Sequence, residues 1–224
     1  MTKATEVSAR LDAQVAQKDL LQHPFYQRWA AGELTLEDLA FYSTQYWRQV
    51  ESFTTYLTDL ADRLPESQAR AVVLENLADE RDGDHAGLWI RFAESVGAGE
   101  DTVRDADAEA ETKECVSAFG DAARSASLPF ALGMLYGYES QTPAVARTKV
   151  AGLKEHYGIN GAGVDYFELH ADLDVEHSAD LAAAIGTLVG DEPAMEEAAT
   201  GARAGADAIW TLLDGVARVR GISC

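Results

Sequence analysis

Eight residues, His170-Ala-Asp-Leu-Asp174-Val-Glu-His177, constrain this chain more than any other stretch. They place imidazole, carboxylate and imidazole at i, i+4 and i+7. An α-helix of about 3.6 residues per turn gathers those three side chains within an arc of roughly 60°. The row leads into an apolar run, ADLAAAIGTLV, so the helix that carries it faces a core. Imidazoles and an ionised carboxylate are costly to bury without partners. A shared transition-metal ion satisfies all three at once. The competing explanation is an acidic solvent face that happens to hold two histidines, and further ligands elsewhere in the chain would decide against it.

The apolar periodicity is helical nearly throughout, with no convincing alternating strand, so the expected class is all-α. The 224 residues read as one domain, 1–224, without repeat, low-complexity tract or linker. A first helix is expected over about residues 6–21. His23-Pro24 breaks it, and Pro24 opens a short helix carrying Phe25, Tyr26 and Trp29 that ends at Gly32. Thr35 with Asp38 resembles a capping box for a helix over about 36–64, rich in Phe and Tyr. Ser67 opens the next helix toward Glu80, Asp82-Gly83-Asp84 interrupts it, and His85 starts another. The polar stretch 98–107 reads as loop, followed by a helix over about 108–124. A long helix from Pro129 to about Gly158 should kink at Pro143. The anchor helix then spans about 164–189 and a last one about 192–219.

Net charge is −20, from 38 acidic against 18 basic residues, which excludes the cationic surface that nucleic acid requires and disfavours anionic membranes. The excess is spread along the helices, as on a surface adapted to high salt. No apolar run approaches the ~20 residues of a membrane span, and the N-terminus lacks the apolar core of a signal peptide, so the cytoplasm is expected. Cys115 and Cys224 form neither a CxxC pair nor a disulfide framework and read as reduced thiols.

Two further polar residues sit in apolar helical surroundings. Glu139 lies in LYGYESQTPAVA, four residues before Pro143. Ahead of His85 stand three candidate carboxylates, Asp79, Glu80 and Asp82. On an unbroken helix Glu80 and His85 would point roughly 140° apart, but Gly83 makes an unbroken helix doubtful. Asp82 and His85 share the i, i+3 spacing of ferritin-like dimetal bundles, as do Asp174 and His177. Glu75 is a weaker alternative. Each residue alone has a bland explanation; beside HxxxDxxH the set suits two metal ions, with carboxylates bridging and positions open for dioxygen. His23 and His156, at a helix break and a helix end, read as structural, and Glu176 points off the metal face.

The blocks HPFYQRWAAGELTLEDLAFYSTQYW, ENLADERDGDHAGLWIRFAESVG, LYGYESQTPAVARTKVAGL and DYFELHADLDVEH together resemble the heme-oxygenase-like dimetal oxidases. Within these they are most like the group of the chlamydial protein associating with death domains. Pyrroloquinoline-quinone synthases and thiaminase-II-type proteins belong to the same superfamily. The resemblance covers roughly residues 8–190. It implies a heme-oxygenase-like bundle of about seven helices, a homodimer, and metal ligands Glu80, His85, Glu139, His170, Asp174 and His177, with Asp79 and Asp82 as alternatives to Glu80. It also implies two iron ions, or iron with manganese, together with dioxygen and an external reductant. The implied activity is synthesis of 4-aminobenzoate for folate, with Tyr26 as the ring source, Lys149 as the amino donor, and Tyr138 and Tyr166 in the pocket. Sibling activities keep the oxidase and change the substrate, to a free amino acid or fatty acid or to a quinone-cofactor precursor. A metal-free partner-binding protein is the alternative from another class.

Overall fold

The computed structural model describes residues 3–223, so Cys224 lies outside the described residues. Eleven α-helices and three short 3₁₀ turns account for nearly all of it, and no strand occurs among the described residues. The helices are α1 (Lys3–Val15), α2 (Pro24–Ala31), α3 (Leu36–Arg63), α4 (Gln68–Asp82), α5 (His85–Ser95), α6 (Glu100–Asp105), α7 (Ala110–Ser125), α8 (Leu128–Glu139), α9 (Thr142–His156), α10 (Asp165–Leu188) and α11 (Glu192–Arg220). The all-α expectation holds, with more and shorter pieces than about seven. Among the described residues no helix is long and apolar enough to cross a membrane.

Capping chemistry sets the starts. The Thr35–Asp38 box forms in full, with the Asp38 carboxylate accepting from the Thr35 amide at 2.8 Å and the Thr35 hydroxyl accepting from the Asp38 amide at 3.1 Å. Pro24 occupies the first turn of α2, where a missing N–H costs nothing, and the His23 ring accepts from the Phe25 amide. Along α3, Leu39, Tyr42, Tyr46, Val50, Phe53, Leu57 and Leu60 recur every three or four residues and are all buried, so this helix presents one apolar stripe to the core.

Three sequence expectations change. The first helix stops at Val15, and the chain continues through 3₁₀ turns at Ala16–Lys18 and Leu20–Gln22. Extended backbone at Asp19, whose carboxylate accepts from the Leu21 amide, separates the two turns. The stretch 98–107 contains a short helix, α6. The long helix expected from Pro129 is two helices broken at Ser140-Gln141, because Pro143 falls in the first turn of α9 rather than in a helix interior.

Helix α8 approaches α11 more closely than its hydrophobic pattern suggests. Gly133 and Gly137 lie against the carbonyls of Ala198 and Ala202, and Gly201 and Gly205 lie against those of Phe130 and Met134. A Cβ at any of the four would overlap a backbone oxygen. In an ordinary helix Gly→Ala gains roughly 0.5–1 kcal/mol. Here overpacking against rigid backbone costs about 1–3 kcal/mol or more, so Gly137→Ala is expected to destabilise. Urea unfolding measures the difference, and a variant more stable than wild type would contradict the close approach. Gly137 is two residues from Glu139, so the same contact fixes where that carboxyl stands.

Candidate metal centre

Helices α4, α5, α8 and α10 bring the polar residues of the sequence motifs into the core. His85, Glu139, His170, Asp174 and His177 are all buried. His170 and Asp174 come from one face of α10, as the spacing predicts, and Glu176 is exposed. Glu80 and His85 meet because the α4–α5 junction turns sharply. Asp84 takes a left-handed conformation (φ 51°), and Gly83 leaves the space that the His85 ring occupies. The break expected at Gly83 is therefore shared: Asp84 makes the turn and Gly83 makes the room.

The alternatives to Glu80 separate cleanly. Glu80 Oε2 lies 2.7 Å from His85 Nδ1, and Glu80 Oε1 lies 3.9 Å from His170 Nε2. These three residues offer ligand atoms all within 4.8 Å of one another, a spacing one metal ion spans. Asp82 is exposed. Asp79 faces outward, its Oδ2 3.1 Å from His177 Nε2. The other ring nitrogen of His177 lies 3.5 Å from Asp174 Oδ1. Glu80, Glu139, His170 and Asp174 together line a small cavity of about 10 Å³, which joins the two halves of the set.

Hydrogen bonds orient the donors. His170 Nδ1 stands 2.6 Å from the Tyr166 carbonyl, which accepts its proton and leaves Nε2 as the free donor atom facing Glu80. Asn76 Nδ2 donates to Glu139 Oε1 at 2.6 Å. Glu139 Oε2 has no hydrogen-bond partner, and His85 Nδ1, although close to Glu80, has none that is aligned. Buried polar atoms left unsatisfied in this way are rare. Imidazole nitrogens and carboxylate oxygens are also the donor set that iron accepts, so the residues fit such an ion.

The electrostatics agree. Burial alone would raise the Glu80 carboxyl, but hydrogen bonds and charge from His170 and His85 bring it to about 2. Burial, then the neighbouring Asp174, raises the Glu139 carboxyl. Burial opposes the charged forms of His170 and His177, yet the carboxylates outweigh it, raising His170 and carrying His177 to about 9. The shell thus selects positive charge, and protons compete with a metal cation for the same atoms.

Next to this shell lies an aromatic chamber. Tyr26, Tyr42, Tyr46, Tyr138 and Tyr166 are buried, and burial raises the pKa of each, so the hydroxyls stay protonated. Lys149 is buried among them. Its Nζ donates to the Tyr42 hydroxyl at 2.7 Å and stands 4.9 Å from the Tyr26 ring centre. The Tyr26 and Tyr42 hydroxyls lie 3.3 Å apart. Burial lowers the Lys149 pKa well below the usual lysine range. A cavity of about 20 Å³ is lined by Tyr26, Lys149, Tyr138, Tyr166 and His170; the last three also line the cavity among the carboxylates. Chamber and metal shell therefore share a wall.

Two contributors were missed in the sequence. Asn76 lies four residues before Glu80 on the same face of α4, a signal that spacing contained. Tyr42 stood within the aromatic series without marking its role, because only packing shows that Lys149 reaches it. His23, bonded to Asp214, and His156, bonded to the Ala30 carbonyl, have structural partners.

A helical bundle holding a carboxylate–histidine shell against buried tyrosines defines a class of redox protein. The chain matches the family of iron-containing redox enzymes over residues 40–210 and belongs to it. It is an oxidoreductase of this family, as its motifs implied. It is 34% identical over 205 residues to a 4-aminobenzoate synthase of Chlamydia pneumoniae, covering 91% of each chain. It is 33% identical over 219 residues to one of Nitrosomonas europaea, covering 92% of this chain and 89% of that one. The fold is heme-oxygenase-like. A CADD-like protein of unknown function from Nostoc punctiforme superposes with a TM-score of 0.79 at 19% identity, covering 98% of this chain and 99% of that one.

Proposed function

We propose that this protein makes 4-aminobenzoate, with the ring taken from its own Tyr26 and the nitrogen from Lys149. The two synthases named above support the product. The observation that carries the source is the chamber itself. At about 20 Å³ it admits roughly one water molecule beside Tyr26 and Lys149, whereas a free aromatic substrate needs many times that space. So small a space favours a reacting ring that is already part of the chain.

Glu80, His85, Glu139, His170, Asp174 and His177 hold the metal in this proposal, as two iron ions or iron paired with manganese. Bound there, iron supplies dioxygen activation, with electrons from an external reductant. The protein's residues supply position and proton control. The Tyr side chain contains the ring and one attached carbon, as 4-aminobenzoate does. Conversion breaks the Cα–Cβ bond of Tyr26 and oxidises Cβ to the carboxylate with dioxygen as the oxidant; the phenolic oxygen leaves as water, and its place is taken by Nζ, freed by oxidative cleavage of the Lys149 Cε–Nζ bond that leaves an aldehyde at Cε. Burial favours the neutral Lys149 amine over the ammonium, and the neutral form carries the lone pair that the ring carbon requires. Tyr42 holds that amine and the Tyr26 hydroxyl through one oxygen. Tyr138 and Tyr166, in the shared wall, exclude water between the two sites.

The direct test is intact-mass and peptide analysis after aerobic reaction with ferrous iron and a reductant. Loss of mass localised to Tyr26 is expected, in step with product. Product formed with Tyr26 intact would overturn the proposal.

Ligand roles divide by position. Glu80→Gln is expected to abolish iron retention after gel filtration. Asp79→Asn acts through His177 and is expected to weaken iron affinity by about 10–100-fold. Equal losses in the two variants would remove the distinction between them.

A further inference from the structure

Helix α2 has only 8 residues, too few to be stable alone, so its packing decides where Tyr26 stands. It is tied to α9 at two points. At one, the Trp29 indole Nε1 donates to the main-chain carbonyl of Lys149 at 3.2 Å, in the buried interior. At the other, the His156 ring stands 3.1 Å from the Ala30 carbonyl and packs on Gly32. Gly152 lets the first contact form: a Cβ there would stand 2.7 Å from Trp29 Cδ1 and 3.0 Å from the Trp29 carbonyl oxygen.

The carbonyl that Trp29 reaches belongs to the same lysine whose amine meets the Tyr26 ring. Trp29 follows Tyr26 by three residues, on the same face of α2. One indole thus links the helix that carries the ring to the backbone that carries the amine. A lysine stem is long and flexible, and Nζ is steadied by the Tyr42 hydroxyl. Tyr42 holds the tip of that side chain, and Trp29 holds its root. The indole itself has little freedom, because it packs on Phe92 and Phe167 with ring centres 6.2 Å away in each case.

We infer that Trp29 is a positioning residue for nitrogen transfer: it fixes the Lys149 main chain against α2 and so sets the amine over the Tyr26 ring, an assignment that rests on these two residues being the reacting pair proposed above. The carboxylate and the nitrogen arise at opposite ends of the ring, so displacing the amine leaves cleavage at Cβ free to proceed. The Cα–Cβ bond then breaks and dioxygen oxidises Cβ to the carboxylate, but the phenolic oxygen stays on the ring. The product is 4-hydroxybenzoate, and Lys149 remains intact. Misplacement by about 1 Å costs on the order of 100-fold in rate, so the two products report where the amine stands.

The test measures both products chromatographically, with the masses of the peptides holding residues 26 and 149, after aerobic reaction of the full iron-loaded chain with a reductant. Trp29→Phe keeps an aromatic ring and removes the N–H; Gly152→Ala keeps the indole and drives it off the carbonyl. Val103→Ala is the control, removing buried methyl groups from α6, which packs on α3 and α5. Each yield is taken per Tyr26 consumed, so partial unfolding does not alter it. Wild type and control should form one 4-aminobenzoate for each Tyr26 lost. In the two α2–α9 variants that ratio should fall by about tenfold or more, with 4-hydroxybenzoate making up the difference and Lys149 unmodified. Where Trp29→Phe fails to fold, Gly152→Ala decides. A wild-type ratio in either folded variant, or loss of both products with Tyr26 intact, overturns the role of Trp29 alone. A wild type that makes 4-aminobenzoate without losing Tyr26 overturns the self-derived ring and the positioning role together.

Discussion

Tyr26→Phe is expected to yield no detectable 4-aminobenzoate while retaining iron as wild type does. The substitution removes one hydroxyl from a side chain that is 2% exposed and keeps the ring, so packing with Phe25, Trp29 and Tyr42 survives. The lost hydrogen bond to Tyr42 is worth about 1 kcal/mol, too little to unfold the chain. No metal-facing atom is touched. The oxygen that nitrogen must replace is absent, however, and the ring loses the hydroxyl that directs substitution to that carbon. A reading with a free substrate makes the opposite forecast, because Tyr26 would then be a wall residue and its hydroxyl would alter rate modestly. Chromatographic quantification of product, paired with iron analysis of the same sample, separates the two. Product at wild-type yield from the Phe variant would place the ring source elsewhere.

The two halves of the site differed in how far the sequence exposed them. The row on α10 was legible because helical spacing alone puts His170, Asp174 and His177 on one face, and the structure buries all three. Glu139 was visible as a carboxylate in an apolar run, although its height depends on glycine contacts with α11 that no periodicity reports. The pairing of Glu80 with His85 depends on a single left-handed residue, Asp84, and a local spacing argument would have set them on different faces. Lys149 gave the weakest signal: a lone lysine near Arg147 and Thr148 reads as solvated, and only the packing of α9 against α10 and α2 turns it inward, toward Tyr42 of α3. Local periodicity thus reveals residues that share an element. Groups that meet across elements, such as Asn76 with Glu139 or Tyr42 with Lys149, are set by long-range packing.

Lys149→Met is expected to stop product formation, leave iron retention intact and stabilise the fold. Two effects compete at this position. Nζ lies 4.9–5.8 Å from five aromatic rings, an arrangement that favours a cation by about 0.5–2 kcal/mol per good contact. Against this, the ammonium has left water without any carboxylate partner and with one hydroxyl to donate to, and an unpaired buried charge costs far more than ring faces return. Desolvation wins, in keeping with a pKa well below the lysine range. Methionine fills a similar volume with no polar head, so a gain of about 1–3 kcal/mol is expected at neutral pH. The pH dependence follows from the sign of the shift. The unfolded lysine binds its proton up to about pH 10.4, while the folded one releases it earlier. Between those two pKa values the unfolded state binds more protons, and wild-type stability rises with pH. The penalty is complete below the folded pKa and gone above the unfolded one. The advantage of Lys149→Met should therefore be larger at pH 7 than at pH 10. Paired urea unfolding curves at the two pH values cancel the titrations common to both proteins. A Met variant less stable than wild type at pH 7 would mean that the rings hold a charged lysine, leaving no neutral amine for transfer to the Tyr26 ring.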